Sequence, residues 1–329
     1  MKLHLTCSER HQPSAEPGSA GRERKAAEDV RIVVDCDPGH DDAIALLLAL
    51  ASPEVELLGV TTVHGNQTLD KTTENALRVL ELVGRSDVPV ARGADRPLVR
   101  DLHVAAHVHG DSGLDGPALP AATARPLQQG AVDFLLEHVT PDVVLVAVGP
   151  LTNVALALDR GLRPQRIVLM GGAIAEGNMT PAAEFNIWAD PEAAQRVFRA
   201  GLPVTMIGLD VTHGPLLTPA WAERFRAAGR VGTFVAELVE FFKRYHSRTY
   251  GWDGAPIHDA LALAHAFRPG LVRTEHVNVE IELESELCRG RTVVDRWNRT
   301  ERESNAHVGV EVDGNAFLGL LLERIARLG

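Results

Sequence analysis

The stretch VRIVVDCDPGHDDAIALLLALA, residues 30–51, joins two apolar runs through a turn that carries four aspartates. VRIVV is β-branched and short, as a buried strand requires, and IALLLALA is apolar nearly all round, as a buried helix requires. Pro38 and Gly39 supply the turn between them. Asp35 ends the strand, Asp37 follows it, and Asp41 and Asp42 open the helix. The acids therefore stand at the carboxyl edge of a strand, where open α/β sheets bind ligands. Four like charges between buried segments repel one another, and loss of water worsens the repulsion. A helix N-terminus favours one or two of them, whereas a bound cation balances more. The competing reading, in which Asp41 and Asp42 are first-turn acids and Asp35 is exposed, suits one aspartate better than four.

Outward from this unit, strand-like and helix-like segments alternate. VELLGVTTV (55–63), VPVAR (88–92), VVLVAVG (143–149), RIVLMGG (166–172) and LPVTMIGLD (202–210) read as strands. TLDKTTENALRVLELVG (68–84), AVDFLLEHV, LTNVALALD and DPEAAQRVFRAG read as the helices between them. TFVAELVEFFKRY and HDALALAHAF are further helices, and VNVEIELE, RTVVDRW and HVGVEVD are late strands before a final helix, NAFLGLLLERIARL. The alternation predicts an α/β fold: a mostly parallel, Rossmann-like open sheet with helices on both faces, in a single domain. Residues 93–130 lack periodicity, and so long a loop in a compact domain is expected to be functional or disordered. Residues 1–29, with their Ser, Gly, Pro, Glu and Arg, are expected to form a disordered N-terminal arm, leaving 30–329 as the catalytic domain.

Composition narrows the function. The net charge is −11 and no Lys/Arg stripe is present, which argues against nucleic acid as a partner. No apolar run is long enough to span a bilayer. The apolar start of MKLHLTC is broken by His4 and is not expected to serve as a signal-peptide core. Cys7, Cys36 and Cys288 show no CxxC spacing, so neither a disulfide framework nor a zinc site is expected. A reducing compartment, the cytoplasm, fits that usage.

The acid cluster fails as an EF-hand: counted from Asp35, the sixth position is His40 and the twelfth is Leu46, where glycine and glutamate belong. A D-x-D phosphatase of the haloacid dehalogenase kind would use Asp35 and Asp37, yet leaves Asp41 and Asp42 unexplained. DCDPGHDDAIALLLAL closely resembles the signature of the inosine/uridine-type nucleoside hydrolases, and GNQTLDKTTENAL (65–77), HGDSGLDGP (109–117), VGPLTNVALAL (148–158), MGGAIAEGNMTPAAEFNIWADPEAA (170–194) and GAPIHDALAL (254–263) extend the likeness in family order. The resemblance implies hydrolysis of the N-glycosidic bond of ribonucleosides, uridine and other pyrimidines first and inosine second, with a bound calcium ion and a homodimeric or homotetrameric assembly. It implies calcium ligation by Asp37, Asp42, Asp259 and the main-chain carbonyl of Val148, with Asp37 also the general base. Irregular oxygen ligands suit calcium better than magnesium. Asp41, Asn178, Glu184 and Asn186 match the family's ribose ligands, and Asn66 is expected in the carboxylate network. His109 and His258 match histidines of pyrimidine-hydrolysing members, suited to protonating the leaving base. Tyr245 and Tyr250, with Trp252, are expected to stack on the base from a closing lid.

Several residues keep a plainer alternative: Asp259 as a helix cap, Asn178 to Asn186 as a polar surface turn, and the tyrosines as helix packing. Trp188 and the N-terminal arm depart from the family pattern. A non-catalytic nucleoside-binding protein on the same fold is a third possibility, although every expected catalytic residue is present.

Overall fold

Side chains of the first strand enter two different cores. Ile32, Val34 and Cys36 join one buried cluster, while Val33, pointing the opposite way, joins another. The same alternation recurs along Val143–Val148 and Ile167–Met170. A central sheet buried on both faces follows, and with it the near-continuous apolar strands read from sequence.

In this computed structural model, which describes residues 29–329, the first half of the chain runs β1 (Val30–Cys36), α1 (His40–Ala51), β2 (Val55–Thr62), α2 (Leu69–Leu82), β3 (Val90–Arg92), α3 (Ala106–His109), α4 (Ala131–His138), β4 (Val144–Ala147), α5 (Thr152–Asp159) and β5 (Arg166–Met170). It continues through α6 (Phe185–Ala189), α7 (Pro191–Phe198), β6 (Val204–Ile207), α8 (Leu209–Thr212), β7 (Leu216–Leu217), α9 (Pro219–Arg226), α10 (Arg230–Tyr250), β8 (Ala255–Pro256) and α11 (His258–Phe267). β9 (Val272–Ile281), β10 (Thr292–Asp295), β11 (Ala306–Val312) and α12 (Gly314–Ile325) complete it. The expected N-terminal arm falls, but for Asp29, outside the described residues.

The main sheet has nine strands in the order β10-β9-β11-β6-β5-β4-β1-β2-β3. It is parallel except where β9 pairs antiparallel with β10 and β11, so the expected α/β sheet is present with an antiparallel edge. From β1 the chain adds β2 and β3 on one side, then crosses back to add β4 on the other side of β1. The switch point of the sheet therefore lies between β1 and β4, and a crevice opens beyond their carboxyl ends. Asp35 is in register with Ala147, which brings Asp37 and Val148 out at that crevice.

Helix α1 lies deep: Ala43 to Ala49 are all within 1% of complete burial, as an all-round apolar pattern demands. It packs chiefly on α11, so the N-termini that carry Asp41, Asp42 and Asp259 meet. Helix α10 is longer than its sequence reading of 233–245. It continues to Tyr250 and stops at Gly251, which takes a left-handed conformation with φ of 72°. The loop of residues 93–130 is ordered around α3 and tied down by side chains: Asn75 Nδ2 donates to the carbonyls of Pro38 (3.0 Å) and Ser112 (2.8 Å), and Gln67 Nε2 to that of Gly110 (2.9 Å).

Candidate active site

The turn after β1 is closed by its own acids. Asp42 Oδ1 accepts from the main-chain N–H of Asp37 at 3.1 Å, and Oδ2 from that of Gly39 at 2.9 Å. That is the helix-capping role of the plainer reading, and it is present. Asn66 braces the turn from β2: its main-chain N–H donates to Asp37 Oδ2 at 2.6 Å, and its amide donates to Asp42 Oδ2 at 2.9 Å and the Asp37 carbonyl at 3.1 Å. Asp37 Oδ1, fully buried, is left with no hydrogen-bond partner.

Asp259 enters from α11 and makes no helix-capping hydrogen bond. Its carboxylate instead faces α1, where one oxygen from each of Asp41, Asp42 and Asp259 lies within 4.8 Å of the others. The sequence reading grouped Asp37, not Asp41, with Asp42 and Asp259. The difference arises because Asp37 Oδ2 is turned to the Asn66 main chain. Among the described residues no lysine or arginine pairs with any of these four acids. Burial first, then the neighbouring carboxylates, pushes Asp37 and Asp259 well above the ordinary carboxylate range and Asp41 up to about 7. Asp42 is raised by burial too. Such a set is short of positive charge, and the unpartnered Asp37 oxygen and the three converging oxygens fit a hard divalent cation.

Above the acids a cavity opens to the surface. Asp41, Asn66, His109, Val148, Asn178, Glu184, Asn186, Tyr245, Tyr250, His258 and Asp259 line it, and Asp37 and Asp42 lie one layer beneath, bonded to Asn66. Three side chains on one wall have complementary free valences. Asn186 Nδ2 donates to the carbonyls of Val148 (2.9 Å) and Met170 (3.2 Å), leaving its oxygen as an acceptor. Asn178 Oδ1 accepts from Phe185 N–H at 2.9 Å, leaving its NH₂ as a donor. Glu184 caps α6, accepting from the N–H groups of Gly172, Asn186 and Ile187 (2.8, 3.0 and 3.2 Å), with one lone pair to spare on Oε1. Burial pushes its carboxyl up to about 7.

The opposite end of the cavity is aromatic and rich in histidine. His109 and His258 are both buried, and burial, then nearby histidines, holds each well below the usual imidazole value. Tyr245 and Tyr250 stand on the last turns of α10, not on a separate loop, with ring centroids 6.3 Å apart. Trp252 backs them, stacked on Tyr250 at 4.5 Å. The sequence reading did not single out His107, His213 or His246, which also line the cavity. His213 follows α8 and His246 stands next to Tyr245 on α10, and nothing in the sequence around either marks it as part of the site. Trp188 lies outside the cavity lining, under the Arg100 guanidinium at 4.1 Å.

The cavity thus sets free acceptors and donors over an acid cluster at one end and aromatic and imidazole rings at the other. A family model described as "inosine-uridine preferring nucleoside hydrolase" matches residues 32–319. The chain belongs to that family. It is 50% identical over 307 residues to a pyrimidine-specific ribonucleoside hydrolase RihA of Enterobacter sp. (strain 638), covering 90% of this chain and 97% of that one. It is 51% identical over 304 residues to the RihA of Shewanella sp. (strain ANA-3), covering 90% and 96%. Among solved structures, the purine-preferring ribonucleoside hydrolase from Gardnerella vaginalis superposes with a TM-score of 0.85 at 36% identity, covering 91% of this chain and 98% of that one. The protein is thus a nucleoside hydrolase, and the phosphatase and non-catalytic alternatives fall away.

For this nucleoside hydrolase, Gly39 is a sensitive position. A Cβ there would lie 2.5 Å from His109 Nδ1 and 2.8 Å from Asn66 Nδ2, and both side chains are pinned. Gly39→Ala is expected to lower kcat by roughly 100-fold, the scale of an ångström-sized misplacement. Steady-state kinetics beside a melting curve checks this: an active, fully folded variant would show that the contact is relieved elsewhere.

Proposed function

We propose that the protein hydrolyses pyrimidine ribonucleosides, uridine foremost, to free base and ribose, with calcium held by Asp37, Asp42, Asp259 and the Val148 carbonyl and with Asp37 as general base. The observation that carries it is the buried, unpartnered Asp37 Oδ1 at the head of four uncompensated carboxylates. When bound, calcium would supply the missing positive charge and polarise a water.

The chain's own groups do the rest. Asn66 fixes one Asp37 oxygen, so the other is free to take a proton from the attacking water. Asp41, Asn178, Glu184 and Asn186 hold the ribose hydroxyls through their free donors and acceptors. The surrounding carboxylates stabilise the oxocarbenium character that develops as the bond breaks. At the other end, Tyr245 and Tyr250 flank the base, and His109 or His258 protonates it as it leaves. The RihA relatives, named as pyrimidine-specific, support the choice of base.

A panel of uridine, cytidine, inosine and adenosine at saturating calcium tests the substrate. Ribose release is expected to be fastest from the pyrimidines; a preference for inosine, or no ribose from any of the four, contradicts the proposal. His109→Ala is expected to lower kcat for uridine by about 100-fold or more, the lower scale for a proton donor.

A cytoplasmic location is supported by Cys36 and Cys288 being free. No described helix is long and apolar enough to cross a membrane. A homodimer or homotetramer is implied by the resemblance; sedimentation equilibrium checks it, and a monomer would refute it.

A further inference from the structure

One buried chain of side chains has no part in the proposed chemistry yet joins the loops after β2, β4 and β5, which carry it. Asp190 follows α6, caps α7 and is completely buried. Its Oδ1 accepts from the Ala193 N–H at 3.0 Å, and its Oδ2 from the Leu98 N–H at 2.9 Å and the Thr152 hydroxyl at 2.7 Å. Burial raises the Asp190 carboxyl, and these three donors oppose the rise. Thr152 opens α5, just past Val148. A hydroxyl has one hydrogen, and Thr152 gives it to Asp190. The Thr152 oxygen therefore accepts from His64 Nε2, 3.1 Å away. Burial holds the His64 imidazole down at about 4, so the ring is neutral and its Nδ1 is a bare acceptor. That Nδ1 is buried and has no partner among the described residues, so the ring is anchored through Nε2 alone.

The two ends of this chain reach Asp37 and the sugar wall. His64 shares a turn with Asn66, which fixes Asp37 Oδ2. Between them Gly65, at φ of 153°, abuts the same carboxylate: a Cβ there would lie 2.1 Å from Asp37 Oδ2. Gly149, between Val148 and Thr152, leaves as little room, with a Cβ position 2.6 Å from Asp37 Oδ1. Neither turn can shift without moving Asp37. At the other end, Asp190 holds the close of α6, whose cap Glu184 and first-turn Asn186 line the cavity. Asn186 ties the start of α6 to the Val148 carbonyl. A helix of five residues has little stability of its own, and a single tie leaves it free to pivot. We propose that Thr152 is a positioning residue: through Asp190 and His64, its hydroxyl is the second tie, fixing the ribose-binding wall at a set distance from Asp37. The attacking water must reach the anomeric carbon while Asp37 reaches that water, so this distance governs the chemical step. The inference rests on the reading of Asp37 as general base and of Glu184 and Asn186 as ribose ligands.

The test measures turnover apart from the two binding steps, in the full-length protein. Thr152→Val keeps the shape of the side chain and removes the hydroxyl. It is expected to lower kcat for uridine at saturating calcium by about 100-fold, the scale of an ångström-sized misplacement. The inhibition constant of free ribose should stay within about threefold of wild type, because each half of the site is intact by itself. The rise in melting temperature on adding calcium should likewise match wild type. Thr152→Ser, which keeps the hydroxyl, should recover most of the turnover. His64→Leu cuts the chain at its other end and serves if the valine variant does not fold. Where both fold, the double variant should lose no more than the worse single one. Unchanged turnover in Thr152→Val or His64→Leu, a serine variant no better than valine, or losses that multiply in the double variant would each overturn the proposal. So would a valine variant that loses ribose inhibition and the calcium response along with turnover, since that marks local collapse. The outcomes separate two failures. Should the wild type release no ribose, or free ribose not inhibit it, the underlying reading fails. Should the wild type behave as expected while Thr152→Val keeps its turnover, the inference about Thr152 fails alone.

Discussion

Asp37→Ala is expected to lower uridine turnover by roughly four orders of magnitude, the upper scale for loss of a general base. Two properties of the residue set that size. Its Oδ1 is the unpartnered oxygen under the cavity, and its Oδ2 and main chain hold Asn66, which in turn holds Asp42. The substitution removes the proton acceptor and loosens the turn together. Ribose recognition through Asp41, Asn178 and Asn186 stays in place, so KM should change far less than kcat. Asp37→Asn separates the two roles, because it keeps the shape of the turn and removes the basicity. Stopped assays of ribose release check both variants, and turnover within about tenfold of wild type would remove Asp37 from the role of base.

Asp259→Asn has the second large effect, and its sign depends on the ion. In protein stripped of metal, the carboxylate repels Asp41, Asp42 and Asp37 without compensation. The amide relieves that repulsion, so the stripped variant should melt higher than stripped wild type. With calcium present the order should reverse, because a ligand is lost and affinity falls by more than the roughly 10–100-fold typical of residues one shell further out. Melting curves in chelator and in calcium measure both. A variant that melts lower than wild type in both conditions would mark Asp259 as merely structural.

Protonation and ion binding compete for the same oxygens. Burial first, then Asp42, pushes Asp41 from an ordinary 3.8 up to about 7, so the folded state holds its proton across that window and the unfolded state does not. Folded carboxyls raised in this way lose stability as pH rises from about 4 to about 7. Buried His40 and His246, lowered to about 4 mainly by burial, act in the opposite sense over the same window. The absolute melting temperature therefore mixes both effects, and the calcium-induced increment isolates the acids. That increment should be small near pH 5 and grow toward pH 7.5; an increment independent of pH would contradict it.

The main strands and the α1 unit were legible from length and residue type: VRIVV is short and β-branched, whereas IALLLALA is longer and made of good helix formers. The antiparallel edge formed by β9 and β10 was not, since strand direction leaves no mark in a short apolar run. Helices α3, α8 and α9, of four, four and eight residues, were missed because so few turns carry little pattern. The reach of α10 to Tyr250 depended on Gly251 as a stop, a weaker signal than the polar residues 247–249 before it. Within the site, residues at strand ends were readable from position alone. His213 and His246 were not, because their approach to His258, at 5.5 and 6.4 Å between rings, is created by the packing of α8, α10 and α11. His40 drew notice only as a residue that spoils an EF-hand, and its contact with His109 spans 69 positions in sequence.

The central claim is that the buried carboxylates hold a divalent cation. Calorimetric titration of calcium into the chelator-stripped, full-length protein tests it most directly. One ion bound per chain, with binding lost in Asp42→Asn, is the expected result; a stripped protein that gives no binding heat and no rise in melting temperature with calcium would contradict it.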